Sequence, residues 1–584
     1  MAPITTASSA GYDRRVVDLV IRGGLVVDGT GAAPFVGDVV VDGGRIVAVG
    51  PVGRTEERGR REVDADGLVV APGWVDVHTH YDGQATWDAE LTPSSWQGVT
   101  TAVFGNCSVG FAPVRPGTEG FLVNLMEGVE DIPGSVLSEG IDFRWESFAG
   151  YLDALETQPR SMDVGAQVPH AALRFYVMGE RGADHKQAAT ADEIAEMGRL
   201  AAEAVEVGAL GFTTSRTVKH RAADGRFTPS LSAADDELLG IAEAIGRTGR
   251  GVLQCNSDFA TPHEIELLRY MAEVSGRPLS FSLLQVDGAP GRWRELLDAV
   301  AAANAAGATL RVQVGSRAIG VIFGLEATLH PFMLHTAYQP LAGLPLAEKV
   351  ARLRQPEVRA SLVDGVDADR GFGAWLRRAL DRTFELTDPP DYEPDPASSI
   401  AARAEREGRS RWELAYDLLL ARDGHGLLYH PFENYSDGDL DAVAEMLGSP
   451  YAVAGLGDGG AHVGTICDAS FPTTLLTHWV RDRTRGERFP LELMVKRQTL
   501  DTARALGFAD RGALRPGLRA DINVIDLDGL RLHAPRIVHD LPAGGKRLVQ
   551  RADGYRHTFV AGVETYADGE WTGATPGRLV RGTG

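Results

Sequence analysis

Residues 68–80 read Leu68-Val69-Val70-Ala71-Pro72-Gly73-Trp74-Val75-Asp76-Val77-His78-Thr79-His80. The stretch is apolar and rich in β-branched residues, as a buried strand should be, and it closes on two histidines one residue apart. Side chains alternate along a strand with period two, so His78 and His80 point to the same side. Two imidazoles on one side of a strand end can hold a single divalent ion, for which imidazole is a favoured ligand. Two satisfied core or surface histidines are the other reading of the same pair.

Upstream, residues 17–66 are short β-branched runs (VDLVIRGGLVVDG, GDVVVDGGRIVAVG, DADGLVV) separated by Asp-Gly and Gly-Gly pairs, which signal hairpins. Downstream the rhythm changes. Short apolar runs at 99–104, 164–168, 209–213, 251–255, 279–284, 309–314 and 451–455 alternate with segments such as EIAEMGRLAAEAVEVGA, whose apolar residues recur at three and four. Near-continuous apolar strands alternating with amphipathic helices imply a buried parallel sheet. With residues 68–77 the strands number about eight, which predicts an α/β fold closed as a (β/α)8 TIM barrel with reactive groups at the C-terminal strand ends.

Residues from about 325 to 450 hold polar, helical and Pro-rich pieces such as DPPDYEPDPASS and exceed one βα unit. They read as an insertion before the last barrel strand, of the kind that covers or shapes a site. Beyond residue 511 the chain returns to strand and turn, in GALRPGLRADINVIDLDG and YRHTFVAGVETYADGEWTG. The expected organisation is therefore a small composite β domain from 14–67 and 512–584, flanking a barrel over 68–511.

The bulk properties restrict the partners. A formal charge of −22 argues against nucleic acid and anionic membrane surfaces, which need a positive footprint. The N-terminal MAPITTASSAGYDRRVVDLVIRGG lacks a signal-peptide core, and no apolar run reaches membrane-spanning length. Cys107, Cys255 and Cys467 are too few and too scattered for a disulfide framework, as suits the cytoplasm. A small-molecule substrate is the expected partner, and homo-oligomerisation stays open.

Two further residues sit where barrel chemistry belongs. Cys107 follows the second strand in GVTTAVFGNCSVGFAP, placed to be a thiolate ligand or a small buried hydrophobe. Asp458 follows the last strand in AGLGDGGAHVG. It can ligate a cation and take a proton from water, or serve as an Asx-turn residue. His462, four residues on, is a neighbour or substrate contact, or a plain loop histidine.

The motifs VIRGGLVVDGTG, APGWVDVHTHYDGQ, GVTTAVFGNCSVGFAPV, GALGFTTSR, GLGDGG and GALRPGLRADINVIDLD span most of the chain. Together they resemble the amidohydrolase superfamily and, within it, the N-acyl-D-amino acid deacylase (D-aminoacylase) group. The resemblance implies a TIM barrel with a composite β-sandwich and metal-activated water that attacks an amide carbonyl. It implies His78, His80 and Asp458 as ligands of one metal, Asp458 as the proton shuttle, and Cys107 as the group's cysteine ligand.

Two strand ends depart from that group. Its fifth and sixth strands end in histidines, whereas here they read GVLQCNSD and LSFSLLQV, and GFTTSR carries no lysine for a carbamate bridge. The expectation is one ion, zinc or another divalent metal, with Gln254, Asn256 and Gln285 as substrate contacts. His170 and Arg174 in VPHAALRFYVMG match the group's Gly-His-x-x-Leu-Arg stretch, with Pro169 for Gly, and His170 either orients substrate or packs structurally. Arg216 and His220 in SRTVKH suit a substrate carboxylate or a structural ion pair. The activity expected is hydrolysis of a C–N amide bond in an N-acyl-D-amino acid or similar N-acyl compound. A cyclic amide or lactone hydrolase, or a metal-depleted binding protein on the same fold, remains as the alternative.

Overall fold

The computed structural model describes residues 16–53, 57–364 and 371–582. The outer limits expected for the terminal β domain (14–15 and 583–584) and residues 365–370 of the expected insertion lie outside the described residues. The architecture is α/β with mixed sheets.

Both ends of the chain share one sheet, nine-stranded among the described residues. Val16–Val26, Phe35–Asp42, Arg45–Pro51, Arg58–Asp64 and Val69–Pro72 come from the first part, and Ile522–Ile525, Tyr555–Val560, Val563–Ala567 and Glu570–Trp571 from the last. Val69–Pro72 is the seam, parallel to Val16–Val26 (Leu25 opposite Val69) and antiparallel to Ile522–Ile525 (Asn523 opposite Ala71). Leu19, Ile21, Val39, Val41, Ile522, Val524 and Phe559 form the core of this region.

The stretch expected as one strand over 68–77 is therefore two. Val69–Pro72 belongs to the shared sheet, and Trp74–Asp76 (β1) starts a different one. The change falls on consecutive amides: Gly73 N donates to Asp521 O at 2.8 Å, and Trp74 N to Gly98 O at 3.2 Å. A Cβ at Gly73 would stand 2.2 Å from Thr100 Oγ1, so only glycine lets the chain cross there.

The parallel strands follow in order. They are β2 (Val99–Phe104), β3 (Asp163–Ala166, continued by Val168–Pro169), β4 (Gly211–Arg216), β5 (Val252–Ser257), β6 (Leu279–Ser282), β7 (Leu310–Val314) and β8 (Ala452–Ala454). Each pairs in parallel with the next: Thr101 faces Asp163, Phe212 faces Val168, Gln254 faces Ser280, and Val312 faces Ala452. Beyond β8 the backbone returns to the end of β1, with Asp458 N donating to His78 O (3.0 Å) and His80 N to Gly459 O (2.8 Å).

Period two divides these strands chemically. Phe212, Leu253, Phe281 and Val312 are buried in the largest core cluster together with Ile241, Leu268 and Val300 from the intervening helices. Between them fall Thr213, Ser215, Gln254, Asn256, Ser280, Ser282 and Gln313. That polar side faces the histidines, since Asn256 reaches Cys107 and Gln313 reaches His78.

Between β7 and β8 the chain makes Ile319–Phe323, Phe384–Glu385 and Leu428–Glu433, a small antiparallel sheet with helices around a separate core of Phe323, Leu353, Leu380 and Tyr416. The helix Asp441–Gly448 then leads into β8. No helix among the described residues is long and apolar enough to cross a membrane.

Candidate metal centre

His78 and His80 lie just past β1 in extended chain, pinned by the bonds to the β8 loop and by Thr79 N donating to Val103 O at 2.9 Å. Both imidazoles are buried, their ring centroids 5.4 Å apart. One ligand atom each from His78, His80 and Cys107 lies within 4.8 Å of the others. His78 Nε2 is 3.3 Å from Cys107 Sγ and 3.6 Å from Asp458 Oδ1, and His80 Nε2 is 3.7 Å from the same Oδ1.

The backbone is forced at this point. Cys107, Asp458 and His462 have φ of 54°, 47° and 50°, in the left-handed region that costs a residue with a Cβ roughly 1–2 kcal/mol. Three such residues around one point mean that the surrounding packing dictates where these side chains aim.

The far edges of the imidazoles are occupied. Gln313 Oε1 accepts from His78 Nδ1 at 2.7 Å, while Gln313 Nε2 donates to Ser280 Oγ at 3.0 Å. An amide oxygen can only accept, so the proton sits on His78 Nδ1 and the Nε2 lone pair faces Cys107 and Asp458. Behind His80 stands Glu130, the last residue of α1 (Glu119–Glu130), with Oε1 3.3 Å from His80 Nδ1.

Burial sets the charges. It lowers His78 and His80 below the ordinary imidazole value, so both imidazoles are neutral at neutral pH. Burial also opposes ionisation of Asp458, but the nearby imidazoles of His80, His78 and His462 outweigh it and hold this carboxyl well below its usual range. Cys107 is pushed well above the ordinary thiol value by burial, with Glu130 and Asp458 adding to it. Glu130 is pushed up by burial, then by Asp458 and Asp82, and burial raises Asp82 to about 7.

The other expected residues divide. His462 closes on the centre, its Nε2 3.6 Å from Glu130 Oε2 and its backbone amide donating to Glu130 O. His220 lies close to His462, His80 and His78, and burial, helped by those imidazoles, pushes it down to about 3; its Nδ1 lies 2.9 Å from Ser215 Oγ. Asn256 Nδ2 donates toward Cys107 Sγ at 3.6 Å. Gln254 is buried beneath, and neither polar atom of its amide has a partner.

Gln285 is committed elsewhere. It donates to Asp437 Oδ2 (2.7 Å) and accepts from Ser436 N (3.0 Å), tying β6 to the long segment before β8. Arg216 Nη1 donates to Ala233 O, a backbone partner. His170 and Arg174, on α2 (His170–Met178), enter a closed network with Glu237 of α3 (Asp235–Arg247). Glu237 Oε1 is 2.9 Å from both His170 Nε2 and Arg174 Nε, His170 Nδ1 is 2.9 Å from Thr214 Oγ1, and Arg174 also donates to the carbonyls of Gly182, Asp184 and Gln187. Burial opposes ionisation of Glu237, yet His170 and Arg174 hold it below its usual value. These polar contacts of the two residues all lie within the network, and none of them runs to His78 or His80.

Sequence reasoning passed over Glu130, Gln313 and Asp82. Gln313 carried a signal, an uncharged polar residue between two valines in the strand LRVQV; Glu130 ends an ordinary amphipathic helix and carried none.

A histidine pair, a cysteine and an aspartate at the ends of parallel strands, with a mixed sheet built from both chain ends, describe a metal-assisted hydrolase. The chain belongs to the amidohydrolase family, whose model matches residues 61–566. It is 28% identical over 578 residues to the D-aminoacylase of Alcaligenes xylosoxydans xylosoxydans, covering 98% of this chain and 99% of that protein. Among solved structures it is similar to a D-aminoacylase (TM-score 0.64, 25% identity, 97% of this chain and 100% of that one) with a binuclear metal center showing one-metal activation and second-metal attenuation. It is similar also to the N-acyl-D-glutamate deacylase of Bordetella bronchiseptica, complexed with zinc and a phosphonate inhibitor (TM-score 0.62, 25% identity, 97% and 100% covered).

Proposed function

We propose that this protein is a metal-dependent amidohydrolase that cleaves the C–N bond of an N-acyl-D-amino acid or a similar N-acyl compound. The observation that carries the reading is the convergence of His78 Nε2, His80 Nε2, Cys107 Sγ and Asp458 Oδ1, with His78 Nδ1 already committed to Gln313. Neutral imidazole, thiol sulfur and carboxylate are the ligand types zinc takes, and their separations suit one ion. A divalent ion there supplies Lewis acidity toward an amide carbonyl and makes water easier to deprotonate.

The chain's residues do the rest. Asp458, ionised and beside both histidines, takes the proton of the attacking water on its carboxylate and returns it to the departing nitrogen. His220 and His462, neutral at the rim, offer hydrogen bonds to the acyl compound, as does the unpartnered amide of Gln254 one layer deeper. One ion is the count we favour, because Gln285 is tied to residues 436–437 and Asn256 presents an amide where the group has a histidine.

We read the eight parallel strands as a closed (β/α)8 barrel, supported by the β1–β8 backbone bonds, and the shared sheet of both chain ends as the composite β-sandwich. The chain crosses between them at Gly73. The three free thiols suit the cytoplasm.

The test is a hydrolysis panel on zinc-loaded protein, pairing N-acyl-D- and N-acyl-L-amino acids with hydantoins and lactones, alongside metal analysis. Release of D-amino acids with about one zinc per chain is expected. Turnover confined to the cyclic compounds, or protein that neither retains nor needs metal, overturns the proposal.

A further inference from the structure

Glu130 is 1% exposed, and neither carboxylate oxygen has an aligned hydrogen-bond donor. A buried carboxylate without a partner is costly, because its charge has left water with nothing in return. Its place makes the cost greater, because the C-terminal end of a helix carries partial negative charge and disfavours an acid. Packing alone gives no reason to keep this group.

What surrounds it does. Oε1 approaches His80 Nδ1 to 3.3 Å, and that nitrogen is itself buried without an aligned partner. Oε2 stands 3.6 Å from His462 Nε2, and the His462 backbone amide donates to the Glu130 carbonyl. One residue thus meets His80 with one oxygen and His462 with the other. The parallel with His78 is close: Gln313 takes the Nδ1 of that imidazole and leaves Nε2 facing inward.

The geometry points to Glu130 as a positioning residue of the metal site, one that holds His80 by its Nδ1 edge so that Nε2 faces the ion, and holds His462 at the rim beside it. The inference rests on the proposed metal site. Glu130 is not a ligand in it. An acceptor behind a ligating histidine sets its tautomer and orientation, and removing such acceptors typically weakens metal binding by about 10–100-fold. The carboxylate stands apart from ordinary interior residues because its partner is a ligand, so its loss should register in metal affinity before it registers in the fold.

The experiment is zinc competition against a chromophoric chelator for wild type, Glu130→Gln and Glu130→Ala, with thermal melts of the metal-stripped proteins and Co²⁺ spectra of the loaded ones. The expected result is a zinc affinity lower by about 10–100-fold in Glu130→Ala and less in Glu130→Gln, which keeps one acceptor oxygen. The metal-stripped melting temperature should be unchanged or higher in Glu130→Gln, and the Co²⁺ band positions should match wild type. Wild-type zinc affinity in both variants overturns the inference, as does a shifted Co²⁺ spectrum, which would make Glu130 a ligand. If wild type itself binds no zinc, the proposed function fails instead.

Discussion

Gln313 Oε1 lies 2.7 Å from His78 Nδ1 and ties the last residues of β7 to the first histidine beyond β1. Gln313 Nε2 donates in turn to Ser280 Oγ, so one amide joins the histidine to β6. Gln313→Leu keeps the volume and removes the acceptor. Zinc retention should fall by about 10–100-fold, as for other partners that orient a ligand. Dialysis against a chelator series, followed by metal analysis, checks this.

Asp458→Asn keeps the left-handed backbone, which Asn tolerates better than most residues with a Cβ, and removes the proton acceptor. We expect kcat on the N-acyl substrate to fall by at least about 10²–10⁴-fold, the size of a general-base contribution. Near-wild-type circular dichroism with near-wild-type turnover would remove Asp458 from the mechanism.

Glu237→Ala should destabilise the fold by about 3–5 kcal/mol, because it strands the Arg174 guanidinium and His170 in a fully buried setting. Urea unfolding of the metal-stripped protein measures the loss. The milder Glu237→Gln should leave KM unaltered, as befits a network closed off from the metal centre; a KM raised several-fold would return His170 or Arg174 to substrate contact.

His330 is a pH reporter away from the centre. It is 3% exposed, its Nδ1 accepts from Phe332 N at 3.2 Å, and burial, helped by Lys349 and Lys546, pushes it down from 6.5 to about 3. Its folded value is depressed, so the unfolded chain takes up the proton first. The stability it contributes is complete above about 6.5 and is lost progressively as pH falls from there toward about 3. His330→Asn keeps an acceptor for Phe332 and should flatten the stability–pH slope in that window by up to about 1.4 kcal/mol per pH unit. Melts of both proteins between pH 4 and 7 compare the slopes; parallel curves would show that His330 is protonated in the fold.

Much of the scaffold was legible before folding. Runs such as VTTAVF and LRVQV are rich in β-branched residues and mostly buried because parallel strands are covered on both sides, and that pressure writes itself locally. The pair His78 and His80 was legible for the same reason: period two is a property of the strand alone. The break at Gly73 was not, since VVAPGWVD is equally apolar on both sides and only the meeting with Asp521 and Gly98 divides it.

The candidate centre shows the same division. The sequence by itself determined that residues of ligand type, His78, His80, Cys107 and Asp458, follow the runs that become β1, β2 and β8, because residue type and strand spacing are local. Tertiary structure alone decided what stands behind them. Glu130 is 50 positions from His80, and Gln313 is 235 from His78; Glu237, which bonds both His170 and Arg174, is more than 60 residues from either. A ligand type is a property of one side chain, but its charge state and aim depend on which distant group shares its buried surroundings, and only the folded chain brings that group into place.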